Sequence, residues 1–389
     1  MNNIVKIQLA VFALVSSAFT NIYLPQPVLP ILQSEFQITP VQASLSVSLV
    51  ILGIVLSNLF FGYLSDRYSI KPIIVCGGLF VAVGGGICSL TLNYNILISA
   101  RLLQGLFIPA LTTSLAAWLA RTLPAKRLSV VMGSYVSATI MGGLGGRLLG
   151  GWVHPPLHWR DAFVTASILI LVTTLMAVFV LPPDEKKEIA SVKGSNGKET
   201  YFSLLKRKEL LLIYACGAGS FLIFSPVFNY LPYRLSHPPF DFATETITMV
   251  YLVYVFGIFL GPISGKLSSR FGGGVMLLAS STLLGVSLLL LLQPYIVAVV
   301  IGLLGVCVGF FTTHTVAVVL LNRKLSCSHG KANALYVLFY YTGGWLGITG
   351  AGFAYEYADW KGVVMFLAAF LIIPVSAGLF ERRAETIAK

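Results

Sequence analysis

Charge is what this chain has least of. Asp, Glu, Lys and Arg make up 10% of its 389 residues while 57% are hydrophobic, which excludes a water-soluble globular fold, because too little polar surface is left to coat one. Acidic residues number only 14, and none stands at the centre of an apolar run. A carboxylate that could neutralise a cationic cargo, or carry a proton through the hydrocarbon layer, is therefore missing. Cysteine is scarce too. Cys76, Cys88, Cys216, Cys307 and Cys327 are odd in number and spaced for neither a disulfide framework nor a metal site. Nothing calls for a cofactor, and no grouping of nucleophiles, acids or metal ligands at one membrane depth marks an enzyme. Nor is there a contiguous basic domain: the net charge of +12 comes from residues scattered over short loops, which fits anionic lipid headgroups and not nucleic acid.

Long apolar runs fill the space left by charge. A helix needs about 20 apolar residues to cross a bilayer, and that ruler marks segments at 7–27, 42–64, 72–91, 96–119, 128–152, 162–182, 209–231, 245–266, 274–293, 295–321, 331–354 and 361–380. They are continuously apolar and too long for strands, so an all-α membrane protein of 12 transmembrane helices is expected, with the bilayer as its solvent. The first run continues past the weak cleavage pattern Ser16-Ser17-Ala18 as far as Pro25, so an uncleaved first helix is expected in preference to a secretory signal.

Of the 26 Lys and Arg, 21 fall on the side of the N-terminus, three on the other side (Arg160, Arg234, Lys361) and two inside spans (Arg101, Arg147). The positive-inside rule then places both termini in the cytoplasm, and a bacterial-type inner membrane is the expected location. The one long polar interval, 183–208, reads as a flexible cytoplasmic linker between a six-helix bundle at 1–182 and another at 209–389.

The two bundles resemble each other. A shift of 201 residues pairs Tyr135 with Tyr336, Val136 with Val337, Gly142 with Gly343, Gly143 with Gly344, Gly146 with Gly347, Gly151 with Gly352 and Trp159 with Trp360. A shift of 200 pairs Gly105 with Gly305 and Thr112-Thr113 with Thr312-Thr313, and Gly62 and Arg67 find Gly265 and Arg270 at 203. An internal duplication is the economical explanation.

Three stretches carry a resemblance to the major facilitator superfamily, and it extends over nearly the whole chain. Gly62 to Lys71 is similar to the loop signature G-x-L-[SA]-D-R-x-G-R-[RK], echoed at Gly265 to Gly272. Arg101-Leu102-Leu103-Gln104-Gly105 is similar to R-x-x-Q-G. Gly142 to Gly151 resembles the exporter-associated G-x-x-x-G-P-x-x-G-G. The likeness is to the drug-efflux and sugar-efflux-like branch, and it implies two pseudo-symmetric six-helix halves and alternating access to a substrate near the midplane. It also implies a conformational latch of Gly62, Asp66, Arg67, Lys71, Gly265 and Arg270, with Asp66 braced near Lys331 and Asn333, and a proton-coupling role for Arg101 and Gln104. Three positions depart from the patterns: Ser69 replaces a usual glycine, Ile70 a usual arginine, and Arg147 the proline.

Residue chemistry adds its own expectations. Gly142, Gly146 and Gly150 recur every four residues and, with Gly151, suit close helix packing. Arg147 lies about 10 Å into its span by helix rise. It either snorkels to the interface or faces the cavity and binds an anion, and the second reading is preferred. Asn21 and Gln26 are further substrate contacts. His314 titrates near neutrality and can carry a proton, or it is a core histidine satisfied by a carbonyl. Tyr340, Tyr341 and Trp345 suit an aromatic binding surface, with core packing the alternative.

The expectation is a monomeric secondary transporter whose partners are a small-molecule substrate, protons and the lipid bilayer. Its favoured activity is proton-coupled export of an anionic or neutral molecule such as a carboxylate metabolite, a siderophore or a drug-like compound. Uptake of an organic anion or siderophore with protons is second, and a polytopic membrane enzyme is the alternative from another class.

Overall fold

The computed structural model describes residues 3–154, 156–182, 200–325 and 328–387. Cys327 and residues 183–199 of the expected linker lie outside them. In chain order the helices are α1 (Asn3–Tyr23), α2 (Leu29–Phe36), α3 (Pro40–Arg67), α4 (Ile70–Leu90), α5 (Tyr94–Leu111), α6 (Thr113–Thr122), α7 (Ala125–Val153), α8 (Trp159–Val180), α9 (Tyr201–Lys206), α10 (Lys208–Leu235), α11 (Thr244–Val250), α12 (Gly257–Phe271), α13 (Gly273–Leu290), α14 (Ile296–Arg323), α15 (His329–Ala369) and α16 (Ile372–Ile387). Among the described residues there is no strand.

Nine helical stretches among the described residues are long and apolar enough to cross a membrane. Each of the twelve expected segments is occupied by helix, several of them broken. The fourth is α5 and α6, joined at Thr112, where φ −106° and ψ −67° interrupt the regular backbone. Pro109, without an N–H to donate, stands one turn before that break. The last two segments run together through α15, where the backbone leaves helical geometry at Ala358 and Asp359 (φ 50°).

Helix ends follow from local chemistry. Thr39 and Gln42 form a reciprocal capping box at the start of α3, with Pro40 at its first position. Asn93 accepts from the N–H groups of Asn95 and Ile96 at the start of α5, and His158 with Asp161 caps α8.

Two compact units are formed, one from residues 1–185 and 235–252, the other from 186–234 and 253–389. In the first, α1 packs on α7, α3 and α4 on α5, and α4 on α8. Their surfaces are inverted relative to a soluble protein. Leu79, Val83, Ile168, Val172 and Phe179 are exposed, whereas Asn21, Gln26, Arg101, Gln104 and Arg147 are buried. That is the arrangement expected where the solvent is hydrocarbon.

Glycines bring two helices of this unit into backbone contact. A β-carbon added to Gly142, Gly146 or Gly150 would stand 2.2, 2.4 and 1.9 Å from the carbonyl oxygens of Ser16, Thr20 and Leu24, so α7 lies on the backbone of α1 every fourth residue. The second unit repeats the device. Gly343 and Gly347 of α15 would meet the carbonyls of Ala218 and Leu222 in α10 at 2.1 and 2.4 Å. The duplication seen as repeated letters is thus one helix interface used twice.

Residues 235–252, part of the expected second bundle, group with the first unit. The notch at Gly151 explains the attachment. A β-carbon there would fall 1.8 Å from Thr248 Oγ1, so α11 seats Thr248 where α7 has no side chain.

Candidate functional site

In the first unit two groups of polar side chains surround the buried arginines. Arg101, fully buried, donates through Nε to the Ser46 carbonyl (2.6 Å), through Nη1 to the Asn21 carbonyl (2.8 Å) and to Gln104 Oε1, and through Nη2 to the Ile22 carbonyl (2.8 Å). Asn21 and Ile22 belong to the last turn of α1, whose carbonyls have no helical partner, so the guanidinium acts as a C-terminal cap from a neighbouring helix. Gln104 donates in turn to the Val81 carbonyl at 2.9 Å and lies 3.4 Å from Asn21 Oδ1. Arg101 and Gln104, singled out by the resemblance to R-x-x-Q-G, stand three residues apart on one face and tie α1, α3, α4 and α5 together.

Arg147 is buried as well, 1% exposed. Its Nε donates to Gln26 Oε1 at 2.7 Å and its Nη1 to the Gly143 carbonyl at 2.6 Å. The guanidinium carbon lies 4.2 Å from the Tyr23 ring centre and 5.5 Å from that of Tyr251. Gln26 opens a short 3-10 turn, Gln26–Val28, between α1 and α2, and Tyr251 follows α11. The structure thus brings together Arg147 and Gln26, both expected from sequence, and adds Tyr23 and Tyr251. The two tyrosines were missed because nothing local distinguishes them from the other fifteen in the chain. Asn21 belongs to the Arg101 group, where its side chain donates to the Ser17 carbonyl.

In the second unit the expected site residues lie among aromatic rings. His314 Nδ1 is 3.0 Å from the Tyr336 hydroxyl, and its ring lies beside Phe310 and Tyr340 at 6.0 and 5.0 Å. Tyr340 stacks on Phe221 at 4.1 Å and 6° between planes, while Tyr341 stands edge-on to both. Phe224 and Phe310 stack at 3.8 Å. His314, Tyr340 and Tyr341 thus share one aromatic cluster with Tyr336, and Trp345, half-buried, lies on α15 five residues beyond Tyr340.

Of the latch residues, Asp66 ends α3 and pairs with Arg121 at 3.0 Å; Arg121 also donates to the Ser65 carbonyl. Arg67 stacks on Tyr63 at 4.5 Å, Lys71 is half-buried in the first turn of α4, and Gly62 has Thr113 as its neighbour. The second unit has the same joint with a different acceptor: Arg323 donates to Ser269 Oγ at 3.1 Å, Ser269 being the counterpart of Asp66 at a shift of 203. Arg270 lies against Phe271, and Gly265 faces open space.

Helices that bury guanidinium and amide groups, expose leucine and phenylalanine and repeat one interface in two units define a polytopic helical membrane protein. The sequence profile of the Major Facilitator Superfamily matches residues 11–324, and the chain belongs to that superfamily. Among its relatives, the inner membrane transport protein YnfM of Escherichia coli is 27% identical over 96% of this chain and 89% of its own length. A transporter of Buchnera aphidicola subsp. Schizaphis graminum is 27% identical over 96% and 91%. The cis,cis-muconate transport protein of Acinetobacter baylyi is 27% identical over 62% of this chain and 61% of its own. A bacterial homologue of the human lysosomal transporter Spinster superposes with a TM-score of 0.78 at 14% identity, covering 98% of this chain and 96% of that one, and so shares the fold.

Proposed function

We propose that this chain is a secondary transporter that exports a small anionic molecule in exchange for protons, with both termini on the cytoplasmic face. The observation that carries the reading is Arg147, a buried guanidinium whose two acceptors described above are an amide oxygen and a backbone carbonyl, both uncharged. A fixed positive charge in low dielectric favours an anionic cargo and opposes a cationic one. Of the described acids, Glu35 and Asp66 lie in the last turns of α2 and α3, and Asp161, Glu209 and Glu245 in the first turns of α8, α10 and α11, while Glu381, buried in α16, is paired with Lys324 at 2.9 Å. His314 and Tyr336 are the candidate proton carriers, and Arg101 with Gln104 supports the helix ends around the site. Muconate, named for one relative, is by its chemistry a conjugated dicarboxylate and a fitting first probe. Uptake of an organic anion with protons is the second reading, favoured by arginine in place of the exporter-associated proline.

Counterflow in proteoliposomes tests the reading. Vesicles loaded with unlabelled muconate are expected to accumulate labelled muconate transiently, and the Arg147→Ala protein to lose at least about tenfold of that rate, the scale of a lost charge-assisted pair. Counterflow that Arg147→Ala leaves intact would remove the anion site from the reading.

A further inference from the structure

We infer that Gln26 is a built-in stand-in for the cargo, its amide oxygen occupying on Arg147 the place a substrate carboxylate oxygen takes, with Tyr23 and Tyr251 as the ring walls of that carboxylate site. The inference rests on the anionic cargo proposed above and deepens it. A carboxylate meets a guanidinium edge-on through two parallel N–H···O bonds, and one of the available edges includes Nε. Gln26 Oε1 sits on that Nε at 2.7 Å. An amide oxygen is a weaker acceptor for a cation than a carboxylate oxygen, so it can satisfy the buried charge and still be displaced.

The position of Gln26 in the backbone suits displacement. It lies in the 3-10 turn Gln26–Val28, flanked by Pro25 and Pro27, with the Val28 N–H closing on the Pro25 carbonyl. That turn is closed between backbone groups, the Leu29 N–H also reaching the Gln26 carbonyl. Tyr251, the other wall, likewise opens a 3-10 turn, Tyr251–Phe256. Arg147 itself is fixed: Gly146 rests on the Thr20 carbonyl one residue before it, and Gly151 receives Thr248 one turn after it.

The duplicated half shows that packing alone does not need the pair. The glycine contacts put Ser16 and Thr20 in register with Ala218 and Leu222, a shift of 202, which sets Gln26 against Phe228. The shift of 201 along α7 and α15 sets Arg147 against Ile348. Phe228 and Ile348 are both fully buried. The corresponding positions of the second unit are thus both apolar and buried, whereas in the first a charge and its acceptor occur together.

The test is a thermal-shift titration of the purified full chain in detergent with a panel of aliphatic and aromatic mono- and dicarboxylates of two to eight carbons. Gln26→Met keeps the volume and removes the competing oxygen; its apparent Kd is expected to fall about fivefold, the worth of one net hydrogen bond. Gln26→Glu supplies a tethered carboxylate and is expected to raise the Kd at least about tenfold. Should the glutamate variant fail to fold, the methionine variant decides alone. Wild-type affinity or weaker binding in Gln26→Met overturns the inference, because Gln26 is then a positioning residue. A panel that shifts no wild-type protein overturns it as well. Loss of binding in Arg147→Ala beside unchanged Gln26 variants defeats this inference only, whereas unchanged binding in Arg147→Ala defeats the anion site too.

Discussion

At the scale of single residues, Arg101 and Arg147 are two buried guanidinium groups with different surroundings. Arg101 is held by three carbonyls from two helices and by Gln104, a set that uses the planar fork of arginine and that a lysine ammonium cannot span. Arg101→Lys is expected to lower the melting temperature in detergent and to destabilise by roughly 2 kcal/mol or more, since hydrogen bonds to a charged group contribute about 1.5–3 kcal/mol each; an unchanged melting temperature would contradict the capping role. Arg101 and Gln104 were legible from the resemblance of their stretch to R-x-x-Q-G, and Arg147 from a charge standing where proline is usual. Their acceptors were not legible, because a backbone carbonyl leaves no mark in the sequence and Gln26 is 121 residues from Arg147. Asp66 shows the same gap: its partner Arg121, 55 residues away, is one of several basic residues that loop composition alone cannot rank.

At the scale of elements, spans were legible and breaks were not. A run of some 20 apolar residues follows from the thickness of hydrocarbon, so it is written along the chain. The interruption at Thr112 and the kink at Ala358 and Asp359 each involve one or two residues and leave the apolar composition unchanged. The four-residue glycine period of α7 was readable, but not that it faces the carbonyls of Ser16, Thr20 and Leu24. This contact predicts a contrast between two glycines. Gly146→Val drives side-chain carbon into the Thr20 carbonyl, 2.4 Å from the ideal β-carbon, and is expected to lose most folded protein in size-exclusion yield. Gly265→Ala meets nothing within 4 Å and is expected to be neutral or stabilising by up to about 1 kcal/mol, the helix preference of alanine over glycine. Equal tolerance at both positions would contradict the packing account.

At the scale of the whole molecule, the duplication was carried forward unequally. Both units keep the glycine interface and the joint between an arginine and the helix end beside it, Asp66 with Arg121 and Ser269 with Arg323. The first unit buries Arg101 and Arg147, and the second stacks Phe221, Phe224, Phe310 and Tyr340 around His314. On the function proposed above, the first unit supplies the charge that neutralises an anion, and the second supplies ring faces and an imidazole as proton carrier. The most direct measurement is lumenal pH in energised everted membrane vesicles, followed with a pH-sensitive dye as cargo is added to the former cytoplasmic face. The acid lumen is expected to turn alkaline when a carboxylate is added, with no such response in Arg147→Ala. Alkalinisation by ethidium-like cations and none by any carboxylate would contradict the account.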